Sequence, residues 1–177
     1  MKVFLDMDGV LTNFFKGVCL KFEKEYDYHS LREYNFWNPW NITREQVDAV
    51  CNSNFWANLE PMHDAFEIFD AVSNKFPDKD IYFLTAPMPN IGSWSGKVQW
   101  IRWHFNTFEK RLIITQAPKS LFAKSDTLLI DDNDENVAEF VAAGGQAILV
   151  PRPWNELHGW ADISLQIVKQ SLDELKT

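Results

Sequence analysis

Short apolar runs recur along the chain and are separated by longer stretches with helical periodicity. The runs are rich in Val, Ile, Leu and Phe, as is typical of strands buried on both faces. They cover residues 2–6, 80–85, 112–115, 127–131 and 146–150. Strands that alternate with helices in this way predict an α/β fold, a five-stranded parallel sheet with helices on both faces.

Three of the intervening stretches have the pattern of single helices. Apolar residues fall three or four positions apart in residues 64–76 and again in residues 95–108, as the buried face of a helix requires. Residues 134–143 run into Gly144 and Gly145, which are a natural helix end. These stretches are predicted to form the helices that follow the insertion, the second strand and the fourth strand.

The stretch between the first two strands is too long for one crossover helix. One helix is predicted to begin at Phe14, with apolar residues every four positions, and another after Thr43, where a Thr-x-x-Gln sequence forms a capping box. An aromatic-rich loop lies between them. The interpretation is a small helical cap, residues 14–64, inserted after the first strand of a core formed by residues 1–13 and 65–177.

Polar side chains follow three of the predicted strands directly. Asp6 and Asp8 end the first strand, Thr85 ends the second, and Asp131 and Asp132 end the fourth. The carboxyl ends of parallel strands meet at one edge of a sheet, so these side chains are expected to lie together. Carboxylates held close together repel unless a cation or a shared proton neutralises them. Oxygen ligands without His or Cys suit Mg²⁺, which accepts phosphate oxygens as further ligands.

These side chains include the groups that hydrolysis of a phosphate ester needs. One carboxylate can attack phosphorus, and a carboxyl group two residues on can protonate the leaving oxygen and later activate water. A metal, a hydroxyl and a lysine, Lys97 or Lys119, can neutralise the phosphoryl charge. Each feature alone has a simpler explanation, since an Asp-x-Asp pair can form a turn and Asp131 and Asp132 can cap a helix. Their joint placement at the ends of predicted strands favours a catalytic site over these simpler explanations.

Composition and charge narrow the class of partner. The 177 residues suit one domain with an insert, and 46% hydrophobic residues suit a globular core. The net charge of −8 argues against a nucleic-acid polymer as partner. No apolar run is long enough for a membrane span and no signal peptide is recognisable, so a cytoplasmic protein without membrane contact is expected. Oligomeric state has no signal in the sequence, and a homodimer is left open.

The motifs resemble those of the haloacid dehalogenase (HAD) superfamily and, within it, the 5'(3')-deoxyribonucleotidase family. The superfamily resemblance rests on Asp6-Met7-Asp8-Gly9-Val10, Thr85, Lys97 and Asp131-Asp132. The narrower resemblance rests on Asn35-Phe36-Trp37, Leu59-Glu60-Pro61 and Trp160-Ala161-Asp162. It implies a HAD-like Rossmannoid fold with three α/β/α layers. It also implies Mg²⁺-dependent hydrolysis of (deoxy)ribonucleoside monophosphates through an aspartyl-phosphate intermediate.

The resemblance implies a role for each matching residue. Asp6 is expected to be the nucleophile and a Mg²⁺ ligand. Asp8 is expected to be the acid/base and to bind the metal through its backbone carbonyl, with Asp132 as the third protein ligand. Ala86 stands where the family often has Ser, so one hydroxyl contact to phosphate is expected to be missing. The residues assigned to the phosphoryl group are Thr85, Ala86, Lys97 and, by holding Lys97 in place, Asp131.

The resemblance also assigns a pocket for the nucleotide base to four aromatic residues, Phe14, Phe36, Trp37 and Trp56. Aromatic rings stack well on a flat base, which favours a nucleotide over a sugar phosphate. The same rings could instead pack in the core of the cap. Two other functions stay open: a HAD phosphatase acting on another small phosphate ester, and a catalytically idle nucleotide-binding protein, which retention of both Asp6 and Asp8 disfavours.

Overall fold

A parallel sheet forms the centre of the computed structural model, which describes residues 1–175. Its strands run in the order β3-β2-β1-β4-β5, and every neighbouring pair is parallel. The predicted α/β fold with five parallel strands is confirmed. The strands are β1 (Lys2–Leu5), β2 (Ile81–Thr85), β3 (Leu112–Ile114), β4 (Thr127–Asp131) and β5 (Gln146–Leu149).

Seven α-helices and several short 3₁₀ turns connect the strands within the described residues. No helix there is long and apolar enough to cross a bilayer. The helix predicted over 95–108 ends earlier, at His104, because the chain tightens into a 3₁₀ segment that keeps Phe105 and Phe108 against Phe69. The helices are α1 (Phe14–Lys21), α2 (Arg44–Val50), α3 (Ser53–Ala57), α4 (Ala65–Lys75), α5 (Gly92–His104), α6 (Asp134–Ala142) and α7 (Ser164–Glu174).

The strand order places β1 between β2 and β4. The last residue of β1, Leu5, pairs with Phe83 of β2 and with Ile130 of β4, so the three strands end at one edge of the sheet. In an open parallel sheet this edge is where ligands bind. The residues that follow these strands are therefore the candidates for a catalytic or binding site.

Apolar side chains cover both faces of the sheet, as parallel strands require. On one face, Val3 and Leu5 of β1 are fully buried in the main core. On the other face, Phe4 packs in a smaller cluster that includes Phe140 of α6. Successive side chains of a strand point to opposite faces of the sheet. The three buried residues of β1 therefore contact the helices on both faces.

The stretch between β1 and α4 contains α1, α2 and α3. The capping box predicted at Thr43 is present, with Gln46 as its partner. Phe15 of α1 belongs to the same apolar cluster as Leu5, and its ring stacks on Trp154 with centroids 3.8 Å apart. The insertion is therefore anchored to the core of the sheet through α1, while the exact limits of a cap stay a prediction.

Candidate active site

The loop after β1 turns sharply and brings its acids to the sheet edge. The amide of Asp6 still donates to the carbonyl of Ile130 on β4, at 2.9 Å. Gly9 then adopts a φ of 77°, a left-handed conformation that favours glycine. A Cβ atom at this position would lie 2.1 Å from Oδ2 of Asp132. Gly9 is thus required both by the turn and by the close approach of Asp132.

Three buried carboxylates meet at this edge. Asp6, Asp131 and Asp132 each offer an oxygen within 4.8 Å of the other two. Burial, with the charges of Asp131 and Asp8, raises the pKa of Asp6 to about 7 against the opposing effect of Lys119. Burial also raises the pKa of Asp132 well above its usual range, and its carboxylate neighbours add to this effect. The cluster holds more negative charge than its surroundings neutralise.

Asp132 also carries an oxygen that lacks a hydrogen-bond partner. Its Oδ1 is buried and accepts no hydrogen bond from any of residues 1–175. A buried polar atom without a partner costs free energy comparable to a lost hydrogen bond. A small hard cation bound by carboxylate oxygens would remove both this cost and the repulsion within the cluster. The residues present therefore fit a divalent metal.

Lys97 is fully buried and lies beside Asp8. Its Nζ donates to Oδ2 of Asp8 at 2.5 Å and to Oγ1 of Thr85 at 2.9 Å. The same ammonium lies 4.3 Å from the ring centroid of Trp56, within the range of a cation–π contact. Thr12 donates to the other carboxylate oxygen of Asp8 at 2.9 Å. Lys97 and Thr85 thus form one polar group next to the side chain of Asp8.

Lys119, rather than Lys97, binds Asp131. Its Nζ lies 2.6 Å from Oδ2 of Asp131 and 2.7 Å from Oδ1 of Asp6. Burial acts to lower the pKa of Lys119, but the two carboxylates hold it above its usual range. The expected pairing of Asp131 with Lys97 is wrong, because the 3₁₀ turn that begins at Lys119 packs against α6, next to Asp131. Asp131 also accepts from the side chain of Asn136.

A cleft of about 620 Å³ opens over these groups. Phe14 and Trp56 form part of its wall, with their rings stacked at 5.2 Å and 9°. Trp37 also lines it, whereas Phe36 does not and packs against Phe15 with ring centroids 4.8 Å apart. Of the residues expected at the site, those that line the cleft are Asp6, Asp8, Phe14, Trp37, Trp56 and Ala86, and Lys119 joins them.

The segment after β5 contributes polar contacts that the sequence interpretation missed. Arg152 is fully buried, donates from Nε to the carbonyl of Gly9 at 2.6 Å, and binds both carboxylate oxygens of Asp64 at 2.8 Å. Trp154 donates from its indole Nε1 to Oδ2 of Asp132 at 2.6 Å. Arg152 and Trp154 lie three and five residues after the end of β5. Their place after the fifth strand is the sequence signal that could have identified them. Tyr34 and Arg44, which line the cleft, were missed as well.

Comparison with known proteins identifies the family of the chain. The family model described as 5' nucleotidase, deoxy (pyrimidine), cytosolic type C protein matches residues 1–170. The human mitochondrial 5'(3')-deoxyribonucleotidase is 25% identical over 186 residues, which cover 92% of this chain and 79% of that protein.

Solved structures support the fold. A HAD family hydrolase from Deinococcus radiodurans R1 with bound phosphate and sodium has a TM-score of 0.51 and 12% identity, covering 94% of this chain and 87% of that one. YfnB from Bacillus subtilis bound to magnesium has a TM-score of 0.53 and 13% identity, covering 84% of this chain and 86% of that one. These structures show the fold only, whereas the match to the family model over residues 1–170 shows the family. The chain belongs to the family described as 5' nucleotidase, deoxy (pyrimidine), cytosolic type C protein, whose members are phosphoric monoester hydrolases.

Proposed function

We propose that this protein is a Mg²⁺-dependent 5'(3')-deoxyribonucleotidase. It removes the phosphate of (deoxy)ribonucleoside monophosphates through an aspartyl-phosphate formed on Asp6. The observation that carries the proposal is the buried trio of Asp6, Asp131 and Asp132, with an unpartnered oxygen on Asp132, beneath a cleft with an aromatic wall. The family match supports a nucleotide as the substrate.

The carboxylates of Asp6 and Asp132 and the backbone carbonyl of Asp8 would hold the cation. When bound, Mg²⁺ would neutralise the charge of the phosphoryl oxygens and of the carboxylates around it. Three observations support this assignment: the donors are all oxygen atoms, the pKa of Asp6 is raised to about 7, and Oδ1 of Asp132 lacks a partner. The magnesium bound to YfnB, which shares the fold, is consistent with it.

Asp6 is positioned to act as the nucleophile. Lys119 holds Oδ1 of Asp6 at 2.7 Å and favours its ionised form, which is the form that attacks. One carboxylate oxygen of Asp6 forms a bond to phosphorus while the bond from phosphorus to the nucleoside oxygen breaks. Thr85 and Lys97 are assigned to the phosphoryl oxygens, since Lys97 contacts both Thr85 and Asp8, and Asp8 lines the cleft.

Asp8 moves the proton in both halves of the reaction. It protonates the departing nucleoside oxygen, and it later takes a proton from the water that attacks the aspartyl-phosphate. That attack breaks the phosphorus–Asp6 bond and releases inorganic phosphate. Lys97 donates to Oδ2 of Asp8 at 2.5 Å, so the residue that moves the proton is in contact with a residue assigned to the phosphoryl group.

The aromatic side chains of the insertion explain why a nucleoside is favoured as the leaving group. Phe14, Trp37 and Trp56 line the cleft above the acids, and base–aromatic stacking contributes about 1–3 kcal/mol per base. Phe36 packs edge-on against Trp37, with ring centroids 5.2 Å apart and planes at 71°. A sugar phosphate offers no flat ring to this wall.

A phosphate-release screen tests the proposal. Deoxyribo- and ribonucleoside 5'- and 3'-monophosphates are compared with sugar phosphates, each in the presence of Mg²⁺ or of EDTA. We expect Mg²⁺-dependent release that is fastest from a nucleoside monophosphate. Turnover that persists in EDTA would contradict the role of the metal. Faster release from a sugar phosphate than from every nucleotide would contradict the substrate class and leave the HAD phosphatase alternative.

A further inference from the structure

The two carboxylate oxygens of Asp132 have different surroundings. Oδ2 accepts a 2.6 Å hydrogen bond from the indole Nε1 of Trp154, whereas Oδ1 is buried without a partner among residues 1–175. Oδ2 also faces the turn at Gly9, since a Cβ atom there would lie 2.1 Å from Oδ2 but 3.1 Å from Oδ1. Oδ2 is therefore surrounded by protein groups and accepts a hydrogen bond, whereas Oδ1 accepts none from the described residues.

Trp154 is held firmly in the position from which it donates. Its ring stacks on Phe15 with centroids 3.8 Å apart and planes 21° apart, and Tyr28 contacts it edge-on at 6.1 Å. The next residue, Asn155, donates from its amide side chain to the backbone carbonyl of Asp132 at 2.9 Å. Two successive residues after β5 thus hold both the side chain and the backbone of Asp132.

We propose that Trp154 is a positioning residue that selects Oδ1 of Asp132 as the oxygen that binds the divalent cation. The inference rests on the proposed metal dependence. With Oδ2 occupied by the indole N–H, Asp132 binds through one oxygen only, which suits the octahedral geometry of Mg²⁺. Donors that orient a ligand in this way commonly change metal affinity by ~10–100-fold when they are removed.

Trp154 also connects the metal ligand to the insertion. Phe15, on which the indole stacks, lies next to Phe14, whose ring lines the cleft. The orientation of Asp132 thus depends on packing between α1 and the segment after β5. The Trp154 side chain acts on Asp132 through the hydrogen bond from its indole N–H, and it packs on Phe15 through its ring. A variant that lacks the N–H but keeps an aromatic ring therefore tests the hydrogen bond without removing the packing.

The test is a Mg²⁺ titration by isothermal calorimetry on the nucleotide-free protein. Trp154→Phe keeps an aromatic ring against Phe15 but removes the N–H. Trp100→Phe is the matched control, because Trp100 is a buried tryptophan as well and donates its N–H to the backbone carbonyl of Leu59 at 2.8 Å. We expect the Kd for Mg²⁺ to rise ~10–100-fold in Trp154→Phe and to change by less than about twofold in Trp100→Phe.

If Trp154→Phe does not fold, β-(3-benzothienyl)alanine at position 154 provides the same test, since sulfur replaces the N–H at nearly constant shape. The same weakening of Mg²⁺ binding is expected. Wild-type affinity in a folded variant without the N–H would overturn the inference and leave the nucleotidase proposal intact. A wild-type protein that binds no Mg²⁺ would overturn both.

Discussion

The sheet edge and the insertion contribute to the same cleft in different ways. At the edge, the backbone alone places the important groups, because each acid comes directly after a strand whose neighbours are set by the sheet order. In the insertion, placement depends on how each ring turns. Phe36 and Trp37 are adjacent in the chain, yet Trp37 lines the cleft while Phe36 packs on Phe15. Topology thus locates the acids more reliably than it locates the aromatic rings.

The two regions also differ in their contribution to stability. Burying the carboxylates of Asp6, Asp131 and Asp132 at one point costs free energy, which Lys119 offsets only in part. Burying the aromatic rings of the insertion contributes favourably, at about 25 cal/mol per Å² of apolar surface. Substitutions at the sheet edge are therefore expected to act on turnover. Substitutions in the insertion are expected to act on stability, on substrate affinity, or on both.

The largest effect is expected for Asp6→Asn. The amide keeps the size of the side chain but cannot form an acyl phosphate, so turnover is expected to fall by more than about 10³-fold. Phosphate release from a nucleoside monophosphate measures it, and the far-UV circular dichroism spectrum shows whether the fold is retained. Substantial activity in a folded Asp6→Asn variant would rule out the covalent mechanism.

Lys119→Met tests the second charge at the sheet edge. Removing the ammonium leaves Asp6 and Asp131 without their shared partner, and kcat is expected to fall ~10²–10³-fold, as for loss of one electrostatic stabiliser. Lys124→Met is the matched control, because Lys124 lies in the same connection and is exposed. If both variants kept wild-type kcat, Lys119 would be a structural residue only.

The contrast between the two buried lysines shows what sequence can and cannot predict. The acids were predictable, since each ends a strand recognisable from its apolar run. The lysine partner of Asp131 was not, because Lys97 and Lys119 both follow strands and only the packing of the turn at Lys119 against α6 decides between them. The pair formed by Arg152 and Asp64 was equally hidden, since 88 residues separate them in the chain. Contacts between distant segments have no local pattern.

The adjacent pair Phe36 and Trp37 provides the sharpest test within the insertion. Trp37→Ala is expected to raise KM for nucleotides ~5–150-fold, the equivalent of one stacking contact, with little effect on ribose 5-phosphate, which has no aromatic ring. Phe36→Ala is expected to lower the free energy of unfolding by about 3–5 kcal/mol, with a smaller effect on the selectivity between the two substrates. Steady-state kinetics and urea unfolding measure the two outcomes. Equal changes in KM for both substrates in Trp37→Ala would contradict its contact with the base.

The smallest effect concerns the stability of the metal-free protein. Between pH of about 4 and 7, folded Asp6 keeps a proton that the unfolded chain has lost, because its pKa is raised to about 7. The folded state then binds more protons than the unfolded state, so stability falls as pH rises through this window. Asp132, whose pKa is also raised by burial, acts in the same direction.

Asp132→Asn removes one carboxylate from this cluster and should flatten the pH dependence. In EDTA at pH 7, we expect the variant to have a Tm ~2–4 °C above that of the wild type, which corresponds to about 1 kcal/mol for a chain of this size. Mg²⁺ should reverse the order, because it stabilises only the protein that binds it, by an amount that grows with the ratio of its concentration to Kd. A variant that Mg²⁺ stabilised as much as the wild type would mean that Asp132 does not bind the metal. Metal binding at the sheet edge would then depend on Asp6 and Asp131 alone. The sheet edge would still differ from the insertion, but through the nucleophile Asp6 and not through a cation bound by Asp132.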